Sequence, residues 1–519
     1  GAGAGAEGVC GGGGWRDVEA CLYALRSVSG SVLQDGRELT GREVVPAALA
    51  ALPELARRHR LVRRTANSLV GEYAKVLKAR PELLRPLFDF LLAGLGEGAD
   101  GEAASAAAGS LKAVMKRCGK LMGGALAQLA AELARARAAG ALRAGAELDV
   151  LEGLCHVASG LEDPAAAAGA LRALAQPLGD KLAEYASAGG ETKDIKMELD
   201  RLTVVVRYTK LKIPSQMEHP TVELIQAVIP IFDGILNHIE SNASAVESLC
   251  RCYKHAVRST RKRSAPLLRP LGTQLLARFR RRPHAAYLYA ASILVTELAR
   301  TDEHIADLFQ LCESFSIETF QQLQTFDQYT AMPDLVEEYF FFIARFLSYC
   351  PGPLLASPVV DTIVQGGIVG LQLRHREAQS GILTFFEELV STGIETPHNK
   401  QAAEYMARLE PVLAARGAAL VGGLVGAVAG ALPAYALDDR DAGGSAAGVL
   451  WKLFHLSEPA LRTWLVPAVN QISASVATVA EKEEFTTKLM NQADRDRFCD
   501  VIYDFARLCH QRSRKWHQR

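Results

Sequence analysis

Apolar residues along this chain recur at spacings of three and four. Between positions 61 and 78, Leu61, Val62, Ala66, Leu69, Val70, Tyr73 and Val76 mark one face of a helix, and polar residues fill the remainder. The stretches WRDVEACLYALRSV, REVVPAALAALPELARRH, ELLRPLFDFLLAGL and RDRFCDVIYDFARLCHQ read the same way. Breaks at Arg80-Pro81, Pro351-Gly352 and His398-Asn399 carry residues that stop helices. Almost nothing alternates as a strand would. The pattern predicts an all-α protein.

The helices pair, and the pairs repeat. First helices are expected near Arg16, Arg60, Ala103, Glu147, Lys193, Asn242, His284, Asp334 and Arg374. Successive starts lie about 40 to 50 residues apart, the pitch of HEAT and armadillo repeats. A repeat of that kind buries its apolar face only against its neighbours, so the expected fold is a HEAT-repeat α-solenoid, a superhelix of paired antiparallel helices. An irregular helical globule is the alternative. The Ala-rich stretch from Ala103 to about Gly190 stays helical, because Ala is the strongest helix former. The expected organisation is a flexible Gly/Ala-rich lead-in over 1–14, a repeat array over 15–512 and a basic tail over 513–519. Gly417–Leu437 is uncharged, with Gly422, Gly426 and Gly430 in a small-residue row. Its Ala and Gly content, Pro433 and the lack of an aromatic belt or a flanking Lys/Arg cluster make it a buried helix rather than a membrane span.

Composition narrows the class. The 519 residues carry 58 Lys plus Arg and 58 Asp plus Glu, which excludes a uniformly basic nucleic-acid coat and an acidic disordered chaperone. With 49% apolar residues, the chain buries a large core. Ten scattered cysteines without a CxxC pair predict free thiols and a reducing compartment. Gly1 in place of Met predicts either a piece of a longer chain or a processed one.

Motifs for chemistry are missing. Gly96–Gly101 matches GxGxxG, but a helix precedes it where a dinucleotide site needs a strand. There is no phosphate loop, HExxH, GxSxG or intact calcium loop, and the twelve histidines lie apart. Glu337-Glu338 and Glu387-Glu388 are adjacent on helices, where successive side chains diverge, and read as solvated faces. We expect no enzyme, no cofactor and no metal.

One segment departs from chance. The 49 residues between Glu247 and Glu297 hold no Asp or Glu and eleven Lys or Arg, while the remainder carries 47 basic against 58 acidic residues. On a helix, Val246, Leu249, Cys250, Tyr253, Ala256 and Val257 fall in one arc of about 120°. Arg251, Lys254, His255, Arg258, Arg261 and Lys262 fall in the opposite arc. Such a ridge, packed on one side and cationic on the other, suits phosphates, and Arg forks add bidentate pairing. A merely solvated basic face is the plain alternative. RNA is a weaker one, since Tyr253, the helix's one aromatic, sits on the apolar arc and leaves no stacking platform. The Arg278–Arg282 run reads as a loop before Pro283.

HPTVELIQAVIPIFDGILN, VESLCRCYKHAVR, YLYAASILVTE, SIETFQQLQ, PDLVEEYFFFIARFLSYCPGPLL and LRHREAQSGILTFFEELVSTG resemble the C-terminal half of the transportin-SR/importin-13 branch of the importin-β superfamily, and within it the transportin-SR pattern. Fainter similarity reaches WRDVEACLYALRSV and VLWKLFHLSEPALRTWL. The resemblance implies a nuclear import receptor that carries serine/arginine-rich splicing factors and holds their phosphorylated Arg-Ser dipeptides on an arginine-rich helix. The matching positions here are Arg251, Lys254 and Arg258, with Lys254 replacing an Arg and losing its planar fork. Arg261 and Lys262 are expected to compensate. It also implies cargo release by Ran-GTP, bound through N-terminal repeats absent from this chain, contacts with nucleoporins, and shuttling between nucleus and cytoplasm. Neither membrane insertion nor direct nucleic-acid binding is expected. A receptor or scaffold for other protein cargoes, as in importin-13, remains open, as does the less favoured RNA-binding solenoid.

Overall fold

The computed structural model describes residues 14–34, 43–95, 101–138, 140, 142–430 and 444–517. Among the described residues the secondary structure is helical, apart from one isolated bridge between Thr396 and Asn399. The chain divides into two compact units, Gly1–Ile239 and Glu240–Arg519.

In the first unit the helices Trp15–Ser27, Arg60–Glu72, Gly101–Cys118, Ala144–Ser159 and Thr192–Tyr208 pack side by side in chain order. Their partners include Leu84–Leu95, Leu126–Ala138, Pro164–Ala188 and Pro220–Ile239. Adjacent repeats are stitched by buried polar groups. Asn67, fully buried, donates to the Ala103 carbonyl at 3.0 Å and accepts at its own carbonyl from Ser110 Oγ at 2.7 Å. Each of these bonds satisfies a donor or acceptor that would otherwise be costly to bury, while Asn67 Oδ1 takes no hydrogen bond.

The second unit repeats the scheme with Ala243–Thr260, Ala285–Leu298, Pro333–Tyr349, Arg376–Ser391, Ala446–Leu456 and Arg495–His517 in one layer. Leu268–Arg281, Ile305–Gln322, Val359–Gly370, Ala402–Gly430 and Glu458–Asn470 run beside them. Its core is aromatic: Phe279, Phe315 and Phe342 meet edge to face at 5.1 and 5.9 Å, and all three are buried. Buried rings of this size contribute most per residue to the apolar driving force. Gly381 lets two layer helices approach closely, since a Cβ there would lie 2.6 Å from the Glu337 carbonyl oxygen.

All nine expected first helices begin within three residues of their predicted starts, and the repeat array stands over the globule. The apolar stretch at 417–430 is the end of the helix Ala402–Gly430. It is packed through Leu420, Val421, Leu424 and Val428, with Gly417 against Trp464. Among the described residues, two helices could cross a membrane by length and composition, Pro220–Ile239 and Ala402–Gly430, and both bury an apolar face in the protein. The nine described cysteines are free thiols. Burial holds Cys155 and Cys350 up to about 12, which leaves them inert. The lead-in at 1–13, the Gly96–Asp100 loop, positions 431–437 and the side chains of the 513–519 tail lie outside the described residues.

Candidate functional site

The helix Ala243–Thr260 starts at Asn242, whose Oδ1 accepts from the Ala245 amide at 3.0 Å. Its apolar arc is placed as the sequence requires. Val246, Leu249, Cys250, Tyr253, Ala256 and Val257 are each at most 1% exposed, and the Tyr253 hydroxyl donates to Gln274 Oε1 at 2.5 Å. The opposite arc is less uniform than its composition suggests.

Arg251 is half-buried and its Nη2 lies 2.9 Å from Glu247 Oε1, one turn earlier. An exposed pair of this spacing contributes about 0.3–0.5 kcal/mol and exchanges readily. Lys254 leaves the ridge. Its Nζ sits 4.9 Å from the centroid of the Tyr289 ring, which also has the Arg345 guanidinium at 5.5 Å. Arg258 is exposed, and so are Arg261 and Lys262. No carboxylate pairs with these three among the described residues. The helix stops at Thr260, however, so Arg261 and Lys262 do not continue its arc. Instead they open a tight 3-10 segment, Arg261–Leu267.

Arg261 adopts φ 53° and ψ −130°, the one positive φ among the described non-glycine residues. A side chain in that region costs on the order of 1–3 kcal/mol. The strain sits at the exposed tip of the ridge, next to Arg258 and Lys262.

The remaining cations are corrected by the structure. Arg278–Arg281 is the last turn of the helix Leu268–Arg281, not a loop, because the apolar face of that helix runs through Phe279. Arg278 is buried with Glu240 at 3.8 Å, Arg281 reaches the same carboxylate at 3.3 Å, and Arg280 lies 2.6 Å from Glu318. Arg269 binds both oxygens of Asp307 at 3.1 and 3.3 Å. Three of these pairs join residues 38 positions apart, one repeat pitch. The counter-charges of this segment lie one pitch away in sequence, outside the segment itself.

Beside the ridge lies a groove of about 770 Å³. Glu247 and Lys254 line one wall, Tyr289 the floor, and Asp334, Glu337 and Glu338 the wall formed by the helix Pro333–Tyr349. Burial pushes the Glu338 carboxyl up to about 7; Arg345 opposes this, Glu337 adds to it and Lys254 opposes it. Glu337 is raised by burial, then by Glu377 and Asp334, with His375 opposing. The Glu337-Glu338 pair is thus partly withdrawn from solvent, where the sequence predicted a solvated face. The other adjacent pair departs in the same way: Glu387 is buried, with Lys452 at 3.3 Å and the Ser445 amide at 2.8 Å.

Two family models match the chain. Residues 42–131 match the third TPR domain of Transportin-3/Importin-13, and residues 219–323 match the fourth, which includes the ridge. The chain is 26% identical over 505 residues to Transportin MOS14 of Arabidopsis thaliana, covering 95% of this chain and 48% of that protein. It is 20% identical over 522 residues to importin-13 of Gallus gallus, covering 95% and 51%. The chain therefore spans about half the length of these relatives. A solved structure of importin-13 in its cytosolic state superposes with a TM-score of 0.81 at 17% identity, over 96% of this chain and 55% of that one. That likeness establishes the helical-repeat fold.

Proposed function

Starting from a chain whose likenesses support a karyopherin of the importin-β superfamily, we propose that it is the cargo-binding portion of a nuclear import receptor of the transportin-SR type. The array over 15–512 takes the cargo, and Arg258, Arg261 and Lys262, joined by Arg251, hold phosphoserines of serine/arginine-rich splicing factors. The observation that carries this reading is the exposed trio Arg258, Arg261 and Lys262, unpaired among the described residues, at the end of a firmly packed helix. A phosphoserine brings roughly −1.5 to −2 charges and three acceptor oxygens, enough to engage two of these side chains. Arg251 is recruited by breaking a weak exposed pair, which a phosphate outcompetes.

In this reading Ran-GTP, bound through repeats outside this chain, releases the cargo. The whole receptor contacts nucleoporins and shuttles between cytoplasm and nucleus. RNA is disfavoured because Tyr253, the ridge helix's one aromatic, is buried and leaves no stacking platform. A receptor for other basic protein cargoes is favoured by one observation, the acidic wall at Asp334, Glu337 and Glu338.

The test is binding of an Arg-Ser peptide, with and without phosphorylation, to the wild-type chain and to the Arg251→Ala, Arg258→Ala double variant. The phosphorylated peptide loses about tenfold or more in affinity, 1.4 kcal/mol per decade, and the unphosphorylated one changes little. Equal losses for both peptides, or none for either, refute the phosphate-reading role.

A further inference from the structure

The groove beside the ridge holds charge of the opposite sign, and the proposed function leaves it unused. We propose that this groove, floored by Tyr289 and walled by Asp334, Glu337 and Glu338, seats the arginine guanidinium groups of the same cargo segment whose phosphates lie on the ridge. The inference rests on the phosphate-reading proposal and deepens it: the receptor reads the alternation of two charges, not phosphate alone.

Strand geometry supplies the first argument. In an extended chain successive side chains point to opposite sides. A segment that alternates arginine with phosphoserine therefore presents a cationic edge and an anionic edge. A surface of one sign can engage only one of them and repels the other. Here the helix Ala243–Thr260 contributes Arg251, Lys254 and Arg258, and the helix Pro333–Tyr349 contributes the three carboxylates. The helix between them, Ala285–Leu298, brings Tyr289.

The second argument is an unmet bond. Glu338 Oε2 is buried and accepts no hydrogen bond. A withdrawn carboxylate oxygen without a donor is costly, and a guanidinium brings five N–H groups in a planar fork. Seating one there would also draw the Glu338 carboxyl back toward its ordinary acidity.

The third is the ring. Tyr289 already attracts Lys254 and Arg345 to its face, which is the behaviour of a cation-binding aromatic surface. Arginine stacks on such a surface better than lysine, because its guanidinium is planar and weakly hydrated. An arriving arginine that displaces Lys254 returns that ammonium to the ridge, where the phosphates are. The groove's volume of about 770 Å³ falls within the range of ordinary ligand sites.

The experiment uses the full chain and four peptides of equal length: arginine-phosphoserine, arginine-serine, citrulline-phosphoserine and citrulline-serine repeats. Citrulline keeps the shape of arginine and removes its charge. The variants are Asp334→Asn with Glu337→Gln on the solvent side, and separately Glu338→Gln. Circular dichroism of each confirms the fold.

We expect the solvent-side double variant to lose about tenfold in affinity, 1.4 kcal/mol, for arginine-phosphoserine and to be unchanged for citrulline-phosphoserine. Glu338→Gln follows the same split. Equal affinity of wild type for the arginine and citrulline peptides, or equal loss of both in the variants, overturns the inference. The ridge reading fails separately, when phosphorylation changes nothing for wild type. If arginine-serine still exceeds citrulline-serine through the groove carboxylates, the groove's role stands without the ridge.

Discussion

Replacing Glu338 by Gln removes a charge that the fold holds at a cost. Burial raises the carboxyl from the ordinary 4.5 to about 7, more than Arg345 and Lys254 pull it down. As pH rises above 4.5, the unfolded chain releases this proton while the folded chain retains it until about 7. Stability therefore falls across that window, and the loss is complete above it. The distance between the two values caps the effect at about 3 kcal/mol, most of which accrues between pH 5 and pH 8. Gln is neutral throughout and keeps the shape. Relative to wild type, Glu338→Gln should gain stability at pH 8 and little at pH 5, read as the shift in the unfolding midpoint in urea at the two pH values. An equal shift at both refutes the assignment of a withdrawn, proton-holding carboxyl. So does a variant that is less stable at pH 8 than at pH 5, relative to wild type.

Two further outcomes follow from backbone geometry. Arg261→Gly relieves the positive φ at the ridge tip and should raise stability by about 1 kcal/mol while weakening the phosphorylated peptide. A variant that is no more stable, measured by urea unfolding, removes the strain. Gly381→Ala places a Cβ against the Glu337 carbonyl oxygen and should cost about 1–3 kcal/mol. It should also weaken arginine peptides by displacing the acidic wall, and a Tm equal to wild type would show that the two helices yield freely.

The helices were legible because periodicity is a local property. The buried arc from Val246 to Val257 needed only the angle between successive residues, and the starts near Arg60 and Asn242 needed only the breaks before them. The candidate site was legible in part. Arg258 faces solvent as its arc demands. Lys254 is half-buried, because its long side chain lies over the Tyr289 ring, which comes from the next repeat. Arg261 and Lys262 escaped the arc when the helix ended one residue early for them. The groove could not be foreseen from adjacent glutamates: Glu338 is enclosed by Arg345, Lys254 and the ring, which lie up to 84 positions away in sequence. The Arg278–Arg281 turn was misread for the same reason, its counter-charges being one pitch distant.

That constant offset of 38 between Glu240 and Arg278, Arg269 and Asp307, and Arg280 and Glu318 has a consequence for inheritance. A tie between neighbouring turns of the array depends on the count of residues separating two charges, and hardly on what stands between them. Substitutions can accumulate freely so long as the count is kept. A single residue inserted inside a helix swings everything downstream by about 100° and unfastens both flanking ties together. A change of length inside a helix that carries one of these charges therefore costs the array more than a change of identity at most positions between them.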